Sequence, residues 1–268
     1  MKNNFFTALI FLSCILNTYA ENSDEHKFYL GIEATYSASM SANMDVSSVS
    51  SVSGAYFDVA ANGYDSNLRQ AFGYGILAGY NLSDIFALEL AYNNRPLFKY
   101  ERYQSFPYTP GDTTAVGNRT RYFDLQNQTA MLNGVIHLTS IFGVSRIEPF
   151  ISLGVGFAGN TVTNFHTIGS ADAPNNFDGT SYSQMTAKTV YKLAAQAGLG
   201  LDYSLSSRWK AKVGYRFIYG GNFESQNYVL DDPDYPSGIG LPYTGNSIAP
   251  WKGTLKNNEV YLGLTYSL

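Results

Sequence analysis

The stretch Lys192 to Phe217, KLAAQAGLGLDYSLSSRWKAKVGYRF, constrains the fold more than any other part of the chain. Its odd positions run Tyr191, Leu193, Ala195, Ala197, Leu199, Leu201 and Tyr203; after a polar turn, Ser204–Arg208, they run Trp209, Ala211, Val213, Tyr215, Phe217 and Tyr219. The even positions carry Lys192, Gln196, Gly198, Gly200 and Asp202, then Lys210, Lys212, Gly214 and Arg216. Period two sustained over about ten residues is a strand with two unlike faces. One face here is apolar and edged by aromatics; the other mixes small residues with charges. A soluble sandwich turns its apolar face to a core and leaves the other uniformly polar. An aromatic-edged apolar face backed by small and charged residues instead suits a membrane barrel, with lipid outside and a polar lumen.

The same alternation recurs along the chain. Phe28–Tyr36, Phe72–Asn81, Ile85–Asn93, Thr129–Leu138, Ile147–Ala158 and the C-terminal run through Val260, Leu262, Leu264, Tyr266 and Leu268 complete a set of eight strands. Links after the second, fourth and sixth are short. Those after the first, third, fifth and seventh are long, covering about 37–70, 94–126, 159–188 and 221–256. The expected fold is all-β: an eight-stranded antiparallel up-and-down transmembrane barrel with short periplasmic turns and four long extracellular loops. A ten-residue strand rises about 33 Å and, tilted by about 40°, spans roughly 25 Å, the height of the lipid-facing band. An even strand count permits closure, which lipid demands because unpaired backbone groups there are costly.

Residues 1–20 read as a secretory signal peptide, with Lys2 as its charge, Phe5 to Leu16 as its apolar core and Thr18-Tyr19-Ala20 before the cleavage point. Residues 21–268 then form the barrel. The single cysteine, Cys14, lies inside the signal, so the exported chain has no disulfide framework and its stability must come from the sheet.

The signal peptide, the glycine-rich FGYGILAGYN, EPFISLGVGFA, KLAAQAGLGLDYSLSSRWKAKVGYRFIY and the terminal EVYLGLTYSL together resemble the eight-stranded opacity and OmpA-type outer-membrane barrels. The resemblance covers the framework from Phe28 to Leu268 and not the four loops. It implies a cell outer membrane location in a Gram-negative bacterium, contact with lipopolysaccharide, insertion by the barrel assembly machinery and a monomer. Such barrels usually end in an aromatic residue; this chain ends in Leu268.

The inward faces carry Glu33, Glu89, Glu148, Asp202 and Glu259 against Lys192, Lys210, Lys212 and Arg216. A barrel of this size is filled by its own side chains, so these charges are expected to meet as a plug. Glu33 and Glu89 are expected near Lys212 and Arg216, and Asp202 beside Lys210. Gly154-Val-Gly156-Phe-Ala-Gly159 has the spacing of a dinucleotide loop, but a polar loop follows it and supplies no helix N-terminus. Inward glycines relieving a crowded lumen explain that run. Of the three histidines, His26 precedes the first strand, His137 ends the fourth on the turn side, and His166 lies in the third long loop with Asp172 and Asp178. Asp231-Asp232-Pro233-Asp234 reads as a solvated turn. No zinc spacing, nucleotide loop or basic nucleic-acid patch is present, so neither cofactor nor metal nor nucleic acid is expected.

The function expected is therefore that of a surface anchor. Its loops, rich in Tyr, Asn, Ser and Gly, suit contact with a host protein or glycan, as in adhesion, or serve envelope integrity. A narrow or gated channel is the alternative, and an outer-leaflet lipid A hydrolase the second.

Overall fold

The computed structural model describes residues 27–40, 68–109, 112–138, 146–169, 186–226, 228–229, 247–248 and 252–268. The signal segment 1–20, Cys14, His26 and Asp231–Asp234 lie outside them, as do Asp172 and Asp178.

Alternation drives these residues into strands that bury one face and leave the other to the surroundings. The elements are β1 (Phe28–Ser39), β2 (Ala71–Asn81), β3 (Phe86–Thr109), β4 (Asp112–His137), β5 (Ile147–Gly169), β6 (Lys188–Ser204), β7 (Trp209–Glu224), the short pair β8 (Tyr228–Val229) and β9 (Ser247–Ile248), and β10 (Lys252–Ser267). Eight of them close into an antiparallel barrel in the order β1-β10-β7-β6-β5-β4-β3-β2, and β8 pairs with β9 apart from it. Closure is made by β1 against β10, from Tyr29 opposite Ser267 to Ser39 opposite Asn257.

Two short turns share one device. In Leu82–Ile85, Ser83 Oγ accepts from the amides of Ile85 and Phe86 at 3.3 and 3.1 Å. In Leu205–Arg208, Ser206 Oγ accepts from the amides of Arg208 and Trp209 at 3.3 and 3.1 Å. A serine hydroxyl taking amides two and three residues on stands in for the missing ladder and sets both turns.

The exterior is apolar. Leu153, Val155 and Phe157 on β5 and Leu193 on β6 are each about two-thirds exposed, at 69%, 67%, 63% and 72%. Aromatic pairs edge this surface: Phe28–Tyr80 and Trp209–Tyr266 near the turns, with ring centroids 4.6 and 4.8 Å apart, and Tyr36–Phe72 toward the loops, 5.0 Å apart. From Phe28 to Tyr36 the strand climbs roughly 20 Å after tilt, which matches a hydrocarbon layer with interfacial rings. A surface so apolar and so bounded is stable only in a bilayer.

Above the upper rings the strands do not stop. β3 and β4 pair from Phe86–Ile136 to Thr109–Asp112, with register shifts at Arg95/Phe98 and Pro107/Thr109, so most of 94–126, expected as a loop, is a tall hairpin. β5 follows β4 up to Gly169 opposite Arg119. The other expected loops are also shortened by strand: β1 reaches Ser39, β6 begins at Lys188, β7 reaches Glu224 and β10 begins at Lys252.

Three rising strands carry a one-residue bulge in this upper zone. The register shifts between Arg95 and Phe98 on β3, opposite Tyr122–Asp124 on β5, and beside Leu255/Lys256 on β7. On β7 the extra residue is Gly220, and beside it Gly221 sits at φ +74°, where a side chain would be strained and a Cβ would stand 2.6 Å from Lys192 Cβ. On β5 it involves Asn164 at φ 52°, a residue type that tolerates the left-handed region. Each bulge switches which parity faces inward. Asn93 and Arg95 point in below it on β3, Phe98 and Tyr100 above it.

Candidate functional site

The lumen is filled in three tiers. Nearest the turns lie Tyr29, Leu77, Ala87, Ala91, Val135, Phe150 and Tyr261. Glycines make room for the rings: the Tyr29 ring lies so close to Gly79 that a Cβ there would stand 2.0 Å from its Cζ. Toward the loops lies an apolar core that includes Phe98, Tyr100, Phe123, Leu125, Phe165 and Phe223. The Tyr100 and Phe123 rings stack within it at 4.5 Å.

Between these tiers sits a belt of charge. Glu259, fully buried, accepts from Arg95 Nε at 2.5 Å and Nη2 at 3.0 Å, from Arg216 Nε at 2.6 Å, and from Ser37 Oγ. Arg216 also donates through Nη2 to Glu33 at 3.0 Å and to Asn93 at 3.1 Å, while its guanidinium lies 4.5 Å from the Tyr261 ring centre. Lys212 donates to Glu89 Oε1 at 2.8 Å, and the Tyr29 hydroxyl donates to the same oxygen at 2.9 Å. Amides extend the belt. Arg95 Nη1 donates to Asn127 Oδ1, Asn127 to Asn160 Oδ1, and Asn160 to the carbonyls of Gly220 and Asn222. This line of donors crosses the lumen from β3 to β7.

The structure thus brings together Glu33, Glu89, Glu259, Lys212 and Arg216, and adds Arg95. Two expected placements differ. Asp202 stands opposite Lys212 in the β6–β7 ladder, not beside Lys210, and Lys210 donates instead to Glu148 Oε2 at 2.7 Å. Strand register decides this, because Lys210 pairs with Ser204, two residues past Asp202. Lys192 shares the parity of Gln196 and Asp202 but is exposed: β6–β7 pairing ends at Ala195–Tyr219, and above it Gly221 lies against the Lys192 stem.

Arg95 is the functional residue that sequence reasoning missed. Its signal is the parity Ala87, Glu89, Ala91, Asn93, Arg95, which runs one step beyond the expected strand end at Asn93 and stops just before Pro96 and the bulge.

A second feature lies at the loop end, a recess of about 410 Å³ lined by Arg69, Lys99, Glu101, Tyr122, Asp124 and Asn164 among others. Arg69 Nη2 meets Glu101 Oε2 at 2.6 Å, and Asn164 Nδ2 donates to Asp124 Oδ2 at 2.6 Å. Of the histidine side chains, only that of His137 lies within the described residues, at the turn end.

No family model matches the sequence, and no curated protein matches it. Solved structures do resemble the barrel. Neisserial surface protein A (NspA) aligns over 90% of this chain and 97% of its own, at 12% identity and a TM-score of 0.47. The outer membrane protein OprG from Pseudomonas aeruginosa aligns over 90% and 95%, at 11% identity and 0.47. The outer membrane protease OmpT from Escherichia coli aligns over 94% and 100%, at 10% identity and 0.46. The likeness is one of overall shape.

Proposed function

We propose that the chain is an outer-membrane anchor that holds a structured platform above the membrane for contact with a host protein or glycan. The observation that carries this reading is the β3–β4–β5 extension. It continues the barrel wall past the aromatic belt and packs Phe98, Tyr100, Phe123 and Phe165 into an apolar core completed by Phe223 of β7 and Leu255 of β10. A segment held by a packed core presents side chains at low ordering cost, which a flexible loop does not. Short turns and both barrel ends of the chain share one rim, so in the usual orientation that rim is periplasmic and the extension extracellular. The Arg69–Lys99–Asp124 recess gives the platform charged and amide groups of both polarities.

Adhesion tests the reading. Cells displaying the chain should bind host surfaces better than cells lacking it, and shortening the β3–β4 hairpin above Phe123 should remove the difference while the barrel still inserts. Equal adhesion by all three on every surface tried would overturn it. The channel reading is disfavoured by two apolar tiers enclosing a paired charge belt. Planar-bilayer recording should therefore show no steady conductance, and a reproducible single-channel current would reverse that order.

A further inference from the structure

The lumen holds one carboxylate more than its cations meet. Among the described residues four buried acids, Glu33, Glu89, Asp202 and Glu259, face three buried bases, Arg95, Lys212 and Arg216. Glu33 and Glu89 each accept from one of those bases and Glu259 from two. Asp202 is the remainder. It is 4% exposed, and its Oδ1 is buried without a hydrogen-bond partner. The neighbouring His137 Nδ1 is likewise buried and unpartnered. Glu148 completes the group: it stands opposite Asp202 in the β5–β6 ladder, gives Oε2 to Lys210 and leaves Oε1. One donor atom from each of the three lies within 4.8 Å of the others.

Unsatisfied buried polar atoms are costly, and two converging on one point ask for a common partner. Two carboxylate oxygens and an imidazole nitrogen gathered at one point are satisfied by a shared proton or by a cation held between them. We propose that His137, Glu148 and Asp202 bind one divalent transition-metal ion, with Zn²⁺ the best match, at the turn end of the lumen. Nitrogen and oxygen ligands at roughly 2.0–2.2 Å suit Zn²⁺, and tetrahedral donors then stand about 3.4 Å apart, within reach of small side-chain rotations. Ca²⁺ and Mg²⁺ take oxygen ligands in larger number and gain little from an imidazole. Charge is also in favour. Glu89, Glu148 and Asp202 face Lys210 and Lys212, so with neutral His137 the group carries one net negative charge. His137 and Glu148 are only half-buried, which leaves a route from the turn side and a position for water. Lys210 would keep the Glu148 carboxylate oriented, as hydrogen-bonded partners of metal ligands do. The ion would tie β4, β5 and β6 together at the rim.

The test uses the full-length folded barrel in detergent, stripped with a chelator and titrated with Zn²⁺ alone by calorimetry at neutral pH. One ion per barrel is expected. Asp202→Asn, which keeps the side-chain shape, and His137→Gln should each weaken binding about tenfold or more. Glu101→Gln at the loop end should leave it unchanged. X-ray absorption of the Co²⁺-loaded wild type should show one imidazole nitrogen among oxygens, a readout that stands even where a variant fails to fold. Binding that is unchanged in Asp202→Asn, no stoichiometric binding, or a spectrum without the nitrogen would overturn the site. The last two outcomes would mean that the group shares a proton instead.

Discussion

The lower and upper halves of this barrel are built on the same strands and are opposite in chemistry. Within the membrane, β3 turns Leu88 and Leu90 outward and Glu89, Asn93 and Arg95 inward. A few residues higher it turns Lys99 and Glu101 outward and Phe98 and Tyr100 inward. The one-residue bulge between Arg95 and Phe98 lies where the pattern inverts. The cause is the solvent. Lipid outside makes an apolar exterior cheap and forces polar groups into the lumen, where they must pair; water outside restores the ordinary arrangement with a hydrocarbon core. The lower half is therefore held by paired charge above a turn-side apolar tier and by a closed backbone ladder, the upper half by packing.

Substitutions can break that contrast, the largest effect first. Arg95→Ala strips Glu259 of two donors and leaves a buried carboxylate under-paired, at a cost of about 3–5 kcal/mol. The urea midpoint of the whole barrel in detergent should fall clearly; an unchanged midpoint would mean the belt is wet and dispensable. Phe123→Ala opens a cavity in the upper core and should cost about 3 kcal/mol, felt locally. Limited proteolysis should then cut the β3–β4 hairpin while the membrane half stays intact, and simultaneous loss of both halves would show that they unfold as one. Leu153→Arg on the lipid face should cost about 2–4 kcal/mol in bilayers. Equal folding yield of mutant and wild type in lipid vesicles would argue against that face meeting hydrocarbon. Smallest is Arg69→Ala, whose ion pair with Glu101 is solvent-exposed and worth at most about 0.5 kcal/mol. It should leave stability in place, so that any change in host-surface binding reports on the recess alone.

The membrane half was legible in the residues because period two is unbroken there. Ile32, Leu90, Leu153 and Leu199 announce the outer face, and Glu33, Glu89 and Arg216 fall on the other parity. The upper half was not, for a physical reason. At each bulge the parity slips by one residue, and near the same height the inward chemistry changes from polar to apolar, so the two shifts together erase the pattern. The stretch 94–126 then looks structureless although it is one of the longest pairings in the molecule. Arg95 was lost with it. Partner choice inside the lumen was also hidden: that Lys210 meets Glu148, and that Asn160 reaches Gly220, depends on how strands are staggered around a closed ring, which no local window contains.

The seam between β1 and β10 has a kinetic consequence. Tyr29 pairs with Ser267, and the amide of Leu268 donates to the carbonyl of Phe28, so the ring closes only through residues at opposite ends of the chain. Contacts of such sequence separation form late and slowly, after a large loop-closure entropy has been met. Glu259 on β10 is the acid to which both Arg95 and Arg216 donate. Until the last strand docks, two guanidiniums wait without their main partner, so pairing of the belt and sealing of the wall belong to a single concluding event. A chain of this design is held back from premature, partly closed forms by its own final sixteen-residue strand.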